Sequence, residues 1–358
     1  MPSDTMWREM LGQGAALAAA LPVLREEVRG LPERAEGTTV WAGGCGDSYF
    51  AALAAKDAFR ELGIPYRAAS ALALAHEEPL GPMQGDTVYL LSVSGETLRT
   101  VEAAERLRQR GVATIAVTAT NGSSLELACA SSLTLPYRSL SRATPHTGDY
   151  LISLLALVLV AECAQPTPFA SLEVWLGDWE DSWESTCHAA SRLAGEWRLR
   201  GNLYLLGGLG DEGTALYGAA KFHEAGGWPA MAAETENFLH GMNYLPGPED
   251  LVLVLGGAHR GAKRAVEIAE ALRAQCGTFA VLDRSRCPEE GTATGDVLRL
   301  SGGVPIFAFQ AAIFLQALCW FSVSPRIRDL EEPLAERPDG EVRQAVQRRL
   351  LKEARLYL

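Results

Sequence analysis

The 358-residue sequence has no CxxC pair, no basic stripe and no apolar run long enough to cross a bilayer. Each absence excludes a class of protein. The seven cysteines, Cys45, Cys129, Cys163, Cys187, Cys276, Cys287 and Cys319, are odd in number and stand singly. That pattern reads as reduced thiols of a cytoplasmic protein, not as disulfides or zinc ligands. No other metal motif appears, and neither a metal nor a cofactor is expected. Lys and Arg total 32 against 44 Asp and Glu, a net charge of −12, which argues against nucleic acid as a partner. The longest apolar stretch, Leu151–Ala161, is too short for a transmembrane span and reads as a buried helix. The first residues, MPSDTMWREM, lack the basic-then-apolar order of a signal peptide.

What is present is a duplication. Val40–Arg60 (VWAGGCGDSYFAALAAKDAFR) and Leu203–Glu224 (LYLLGGLGDEGTALYGAAKFHE) share glycines at a constant offset of 164, Gly43, Gly44 and Gly46 against Gly207, Gly208 and Gly210. Asp47 matches Asp211 at the same offset, and VEAAERLR at Val101–Arg108 returns as VEIAEALR at Val266–Arg273. The same strand, Gly turn and helix therefore occur twice. The copies differ in chemistry. SVSGET at Ser92–Thr97 has no hydroxylated counterpart around Gly256–Arg260 (GGAHR), whereas copy two holds Lys221, Glu224 and His240.

Length and a 48% hydrophobic content support two α/β domains. The reading divides the chain into a helical leader (1–35), a first α/β unit (36–165), a linker helix (166–200), a second unit (201–324) and a charged tail (325–358). The leader presents Leu11, Leu17, Leu21 and Leu24. The first unit is expected to place strands at 39–42, 87–91, 112–117 and 132–135, with helices at 48–62, 98–110, 124–129 and 149–163. The second places strands at 203–206, 252–255, 279–282 and 297–300, a closing helix at 306–320 and a tail helix from 340. Strands separated by helices imply doubly wound, mainly parallel sheets with helices on both faces.

SVSGET follows a strand and opens a helix, where free backbone N–H groups and the positive helix end meet an anion. Ser92, Ser94 and Thr97 add hydroxyl donors, and the backbone of Val93 and Gly95 can approach closely. The Gly44–Ser48 turn, with Cys45, Gly46 and Ser48, obeys the same logic after the neighbouring strand. Such junctions lie at the carboxyl ends of strands, where ligands bind in doubly wound sheets. Ordinary helix capping is the competing account of Thr97. A nucleotide fold is the other competitor: GxGxxG occurs as Gly208, Gly210 and Gly213, but the next strand found, 252–255, lies too far on and ends in Gly256-Gly257 with no acidic residue.

Tyr217, Lys221 and Glu224, at i, i+4 and i+7, share one helical face. A carboxylate beside a sugar can move a proton between adjacent carbons through an enediol, and a histidine near the ring oxygen can open the hemiacetal. Glu224 and His240 are the candidates. Spacing alone equally allows Lys221 and Glu224 to be a surface ion pair of little weight. The other histidines, His76, His146, His188, His223 and His259, carry no pattern.

Two tandem α/β units with CGDS, SVSGET, AAKFHE and FLHG resemble the sugar isomerase (SIS) domain family, over roughly residues 6–326. The likeness is greatest to the isomerase half of glucosamine-6-phosphate synthase and extends to amino-sugar deaminases and fructosamine-6-phosphate deglycases. It implies that Ser48, Ser92, Val93, Ser94 and Thr97 hold a sugar phosphate and that Thr144 and Thr147 lie on a sugar-contacting loop. It further implies that Glu224 is the proton shuttle, that Lys221 matches a helical lysine of the synthase, and that His240 opens the ring in the neighbouring subunit of a homodimer. Three departures stand out. The sequence shows no glutamine-hydrolysing part and begins Met1-Pro2. Tyr217 replaces a second glutamate. The imine-forming lysine that follows Pro-Arg in the synthase falls here on Leu330, with Lys352 further along a tail that nothing requires to take that role.

The leading expectation is an aldose–ketose isomerase of a phosphorylated hexose. The alternatives are an amino-sugar-6-phosphate deaminase or fructosamine-6-phosphate deglycase, whose substrate brings its own nitrogen, and a non-catalytic sugar-phosphate sensor.

Overall fold

The computed structural model describes residues 5–34, 37–77, 80–141, 145–163, 169, 171–257, 261–285, 297–300, 302–324 and 339–352. The leader forms α1 (Thr5–Arg29). Met6, Met10, Leu17, Leu21, Leu24 and Val28 recur at helical spacing and are buried. Leu11 falls off that stripe and is 51% exposed, contrary to the expected face.

The first unit runs β1 (Val40–Gly44), α2 (Asp47–Ala54), α3 (Lys56–Glu61), β2 (Tyr66–Ser70), α4 (Ala71–His76), β3 (Thr87–Leu91), α5 (Leu98–Gln109), β4 (Ala113–Thr118), α6 (Ser124–Ala128), β5 (Ser131–Thr134) and α7 (Gly148–Cys163). Two helices, α8 (Ser171–Gly177) and α9 (Trp179–Trp197), lead to the second unit. That unit runs β6 (Leu203–Gly207), α10 (Asp211–Gly226), β7 (Ala230–Glu234), α11 (Thr235–Leu239), a 3-10 turn at Met242–Tyr244, β8 (Leu251–Gly256), α12 (Gly261–Leu272), β9 (Gly277–Asp283), β10 (Val297–Leu300) and α13 (Ile306–Val323). A tail helix, α14 (Gly340–Lys352), follows.

Each unit carries a five-stranded sheet, ordered β2-β1-β3-β4-β5 and β10-β9-β8-β6-β7, and every pairing is parallel. Allowing for sequence order the two topologies are the same. In each, the strand order reverses beside the first strand, between β1 and β3 and between β6 and β8. Parallel sheets of this kind bury both faces, so β1 and β8 are buried at every position.

One face of the first sheet is covered by α4, α5 and α6, around Leu74, Ala103, Leu107 and Leu125. The other packs on α2, α3 and α7, with α1 behind them. One face of the second sheet lies under α11 and α12, and its inner face meets α9, α10 and α13. The inner core of the first unit takes in Tyr217, Ile306, Phe309 and Ile313 from the second, so the two units share one apolar interior. The helix α7 is apolar all round and is buried over nearly all its length, which such a composition requires. Contrary to the expectation that no segment could span a bilayer, α13 is long and apolar enough to cross a membrane, but 83% of it is buried in the fold, packed against α9 and α10.

Several expected elements differ. The helix at 48–62 is broken at Ala55 into α2 and α3, and the linker helix at 172–200 is two helices. The edge strands β2 (YRAAS) and β7 (AMAAE) had no clear signal. Both are half-buried and built largely of alanine, so neither forms the continuous β-branched run that marks a central strand. Finding β7 also corrects the argument against a nucleotide fold, because the strand after β6 is β7, and it ends on Glu234. Pro325, Arg326 and Leu330 lie outside the described residues, as does His259.

Candidate active site between the two units

The turn after β1 and the turn after β3 leave adjacent parallel strands, with Gly44 in register with Leu91. Here the strand order reverses, and α2 and α5 depart to opposite faces, which opens a crevice at the carboxyl ends of the strands. Gly44 is needed for closeness: a Cβ there would stand 2.4 Å from the Leu91 carbonyl oxygen and 2.8 Å from Ser48 Cβ. Gly95 has φ +69° and would place a Cβ 2.2 Å from Ser123 Oγ.

The hydroxyls of the second turn converge. Ser92 Oγ lies 2.9 Å from Thr97 Oγ1 and 3.4 Å from Ser94 Oγ. Thr97 precedes α5 without making a side-chain cap bond, so its hydroxyl stays with the cluster. Glu96 turns away to accept from the Ser124 amide and hydroxyl, and these bonds hold its carboxyl below the usual carboxylate range. Val93 is half-buried and its carbonyl accepts from Thr118 Oγ1. In the first turn Cys45 and Gly46 are exposed and Ser48 is half-exposed in the first turn of α2. Partial desolvation raises the Cys45 thiol above the ordinary value even though the residue is exposed overall.

The helices α2 and α10 cross the boundary between the units and pack antiparallel. A Cβ at Gly213 would stand 2.4 Å from the Phe50 carbonyl oxygen, and one at Gly210 would stand 2.5 Å from Asp57 Oδ2. Two glycines of the GxGxxG match are thus used for helix packing. Glu234, the acidic end of β7, accepts from the Glu236 and Asn237 amides and caps α11. In the second unit Asp211 accepts from the Gly257 amide at 2.8 Å.

Antiparallel packing brings the end of α10 to the start of α2. Lys221 Nζ donates to Asp47 Oδ2 at 2.8 Å, to Glu224 Oε2 at 2.6 Å and to the His146 carbonyl at 3.0 Å. Lys221 is fully buried, 5.0 Å above the Tyr217 ring, so the surface-pair account of Lys221 and Glu224 is excluded. Burial alone would lower its ammonium, but Asp47 and Glu224 outweigh that and hold it well above the ordinary lysine value. Such an amine stays charged and has no lone pair to attack a carbonyl. Glu224 keeps 43% of its side chain exposed. Burial of the rest raises its carboxyl, Lys221 opposes this, and the nearby Asp47 charge adds to the rise. The site thus offers an anion cradle from the first unit and a reachable carboxylate of elevated pKa from the second.

The remaining expected residues separate. Tyr217 is a core residue, stacked on Tyr150 at 3.9 Å between centroids, and its hydroxyl receives a 2.8 Å bond from Gln316 Nε2. Thr147 is fully buried. Its hydroxyl and amide both donate to Glu9 Oε2 at 2.7 Å, so it anchors its loop and does not face the crevice. Thr144 lies outside the described residues. His240 is exposed at the end of α11, on the face of the second sheet opposite α10, and no contact among the described residues joins it to Glu224. Sequence reasoning missed Asp47 as a partner of Lys221, Glu9 as the anchor of the loop, and the His146 carbonyl as an acceptor from Lys221. Asp47 alone had a signal, its recurrence in the duplication.

Residues 38–160 match the model of the SIS domain family. No curated protein matches the chain by sequence. The C-terminal domain of glucosamine-fructose-6-phosphate aminotransferase from Francisella tularensis is similar in structure, with TM-score 0.72 and 16% identity over 90% of this chain and 96% of that one. Glucosamine-6-phosphate deaminase from Thermotoga maritima gives TM-score 0.72 and 18% identity, covering 90% and 95%. Tagatose-6-phosphate ketose/aldose isomerase from Escherichia coli gives 0.70 and 17%, covering 90% and 94%. At these identities the likeness is one of fold. The resemblance read from CGDS and SVSGET thus holds, in the first unit by sequence and over two tandem SIS-like units by architecture.

Proposed function

We propose that the protein is a phosphosugar isomerase that interconverts the aldose and ketose forms of a hexose 6-phosphate. The observation that carries this reading is the Lys221 bridge, which ties Glu224 of the second unit to Asp47 at the mouth of the anion-binding turn in the first. The phosphate lies against the first-turn amides of α2 and α5 and the hydroxyls of Ser48, Ser92, Ser94 and Thr97, with Val93, Cys45 and Gly46 supplying backbone contacts. Neutral donors and helix ends hold a dianion without a permanent ion pair, which suits a substrate that must leave. Glu224 takes the proton from C2 of the open-chain aldose and returns it to C1 through a cis-enediol. A raised carboxyl is the better base here, because its proton affinity approaches that of the working pH range. Lys221 fixes the carboxylate and balances Asp47; it is a positioning residue. His240, through a second copy of the chain, opens the ring, and Thr144 belongs to the loop over the sugar.

A second reading, release of an amine from an amino-sugar or fructosamine 6-phosphate, is favoured by one feature. The sugar end of the site gathers the carboxyls of Asp47, Asp149 and Glu224 against Lys221 and His146, surroundings that would accept a substrate ammonium. Proton NMR in D₂O separates the two. Deuterium entering C1 or C2 of fructose 6-phosphate, with the matching aldose appearing, supports the isomerase. Free amine from glucosamine 6-phosphate or a fructosamine 6-phosphate supports the second reading. Tight binding with no turnover of any of the three leaves the sensor and rules out both.

A further inference from the structure

Among the described residues, His146 is the histidine whose backbone is tied to the candidate base, through Lys221, which bonds both the His146 carbonyl and Glu224. It lies in the loop between β5 and α7, two residues ahead of the helix start at Gly148. Three features fix that loop. Glu9, buried on α1, accepts from the amides of Leu140, Thr147 and Gly148 and from the Thr147 hydroxyl. Tyr137 closes against Gly148, where a Cβ would stand 1.9 Å from its hydroxyl. Lys221 donates to the His146 carbonyl.

The backbone of His146 thus has a structural task, and its ring does not share it. The ring is half-buried, and its Nδ1 is buried with no hydrogen-bond partner among the described residues. A buried ring nitrogen left unpaired is a cost that a purely structural side chain would not keep. Lys221 of α10, bonded to the His146 carbonyl, joins it to Asp47 of α2 and Glu224 of α10, and Asp149 of α7 follows three residues on in the chain. The His146 carbonyl is 3.0 Å from Lys221 Nζ, which is itself 2.6 Å from Glu224 Oε2, so the residue is one link from the candidate base; a positive charge on its ring would lower the carboxyls of Glu224 and Asp149. Asp149 is itself held by the Ser139 hydroxyl.

We infer that His146 is the second proton-transfer residue of the site, carrying the oxygen-bound proton while Glu224 carries the carbon-bound one. The inference rests on the isomerase reading. In the forward half, the Glu224 carboxylate takes the C2 proton, the electron pair forms the C1–C2 double bond, and O1 takes a proton from the His146 imidazolium. The cis-enediol then faces a neutral imidazole and a carboxylic acid. In the second half, the imidazole takes the proton from O2, the C2 carbonyl forms, and C1 takes the proton from Glu224. Both residues end as they began, and no other reactant is consumed. Imidazole suits this task because its ordinary titration lies near neutrality. Ring opening remains with His240.

The test uses the full chain, with His146→Gln and His146→Asn beside the wild type. Fructose 6-phosphate in D₂O gives turnover, and glucitol 6-phosphate, which has no carbonyl, gives binding. The expected result is a fall in kcat of about 100-fold in both variants, with glucitol 6-phosphate bound within about threefold of wild type. A fall of less than about tenfold, or one explained by lost binding, overturns the inference and leaves the isomerase standing. No deuterium exchange in the wild type overturns the isomerase reading, and this inference with it.

Discussion

A buried lysine with three acceptors is the residue on which the site depends. Lys221 joins the carboxylate that should act on the sugar to the turn that should hold the phosphate. Glu224→Gln keeps the size of that side chain and its stem packing but removes the base. Turnover should fall about 100-fold or more, with C1 and C2 deuterium exchange lost together and glucitol 6-phosphate still bound. Wild-type exchange in that variant would refute the assignment. Lys221→Met makes a different prediction. Lys221 lowers the Glu224 carboxyl, so its loss raises that carboxyl further and moves the acid limb of the turnover profile to higher pH. A carboxyl raised in the folded state favours folding below its unfolded value, and that contribution disappears as pH rises through the folded value. Lys221→Met should therefore lose more stability at neutral pH than at about pH 4. Leaving Asp47 and Glu224 without their buried partner costs about 3 kcal/mol, read from the urea midpoint, the lower end of the range because Glu224 is open on one side. The residue identities were legible in the sequence, but Lys221 as a buried bridge was not. The same i, i+3 spacing describes a surface pair, and only burial against α2 distinguishes them.

At the scale of elements, α1 is part of the site. Its Glu9 reaches the loop before α7 and uses both carboxylate oxygens, Oε1 on Leu140 and Oε2 on Thr147 and Gly148. Glu9→Gln must therefore point an amide donor at a backbone donor in either orientation. We expect a loss of about 2 kcal/mol and faster hydrogen exchange in residues 139–148, with a lower kcat because His146 and the Lys221 acceptor move with the loop. Unchanged exchange there would separate α1 from the site. The expected amphipathic leader was legible because Leu17, Leu21 and Leu24 keep a helical period. Its part in the site was not, since an isolated acidic residue near a chain end has no pattern. The edge strands β2 and β7 escaped for a related reason: short, alanine-rich and covered on fewer sides, they carry little of the periodic apolar signal that defines their neighbours.

At the scale of the molecule, duplication and divergence fit together. Positions 57 and 60 of α3 correspond to 221 and 224 of α10 at the repeat offset, and they hold Asp57 and Arg60, 2.8 Å apart, with the charges reversed. In the second unit Asp211 binds the Gly257 amide at the turn after β8. The repeat-related positions thus carry different groups in the two units. The units share one apolar interior, so they should unfold together. Thermal unfolding followed by near-UV and far-UV signals should give one coincident transition. Glucitol 6-phosphate at a hundred times its Kd should raise stability by about 2.7 kcal/mol in both signals alike. Two transitions, with only one shifted by ligand, would show that the units fold independently.

The sequence by itself determined the α/β class and the repeat, and it singled out the glycine and hydroxyl turns and the residues Glu224, Lys221 and His240 as candidates. These are carried by local patterns, namely glycine at tight turns, hydroxyls at helix starts and helical periodicity. Tertiary structure decided which of them meet. It packed α2 against α10 in antiparallel fashion, buried Lys221 between Asp47 and Glu224, turned Thr147 inward onto Glu9 and tied the His146 carbonyl to Lys221. No local pattern encodes these contacts. They join residues up to 174 positions apart, and they form only when two sheets press their inner helices into a common core.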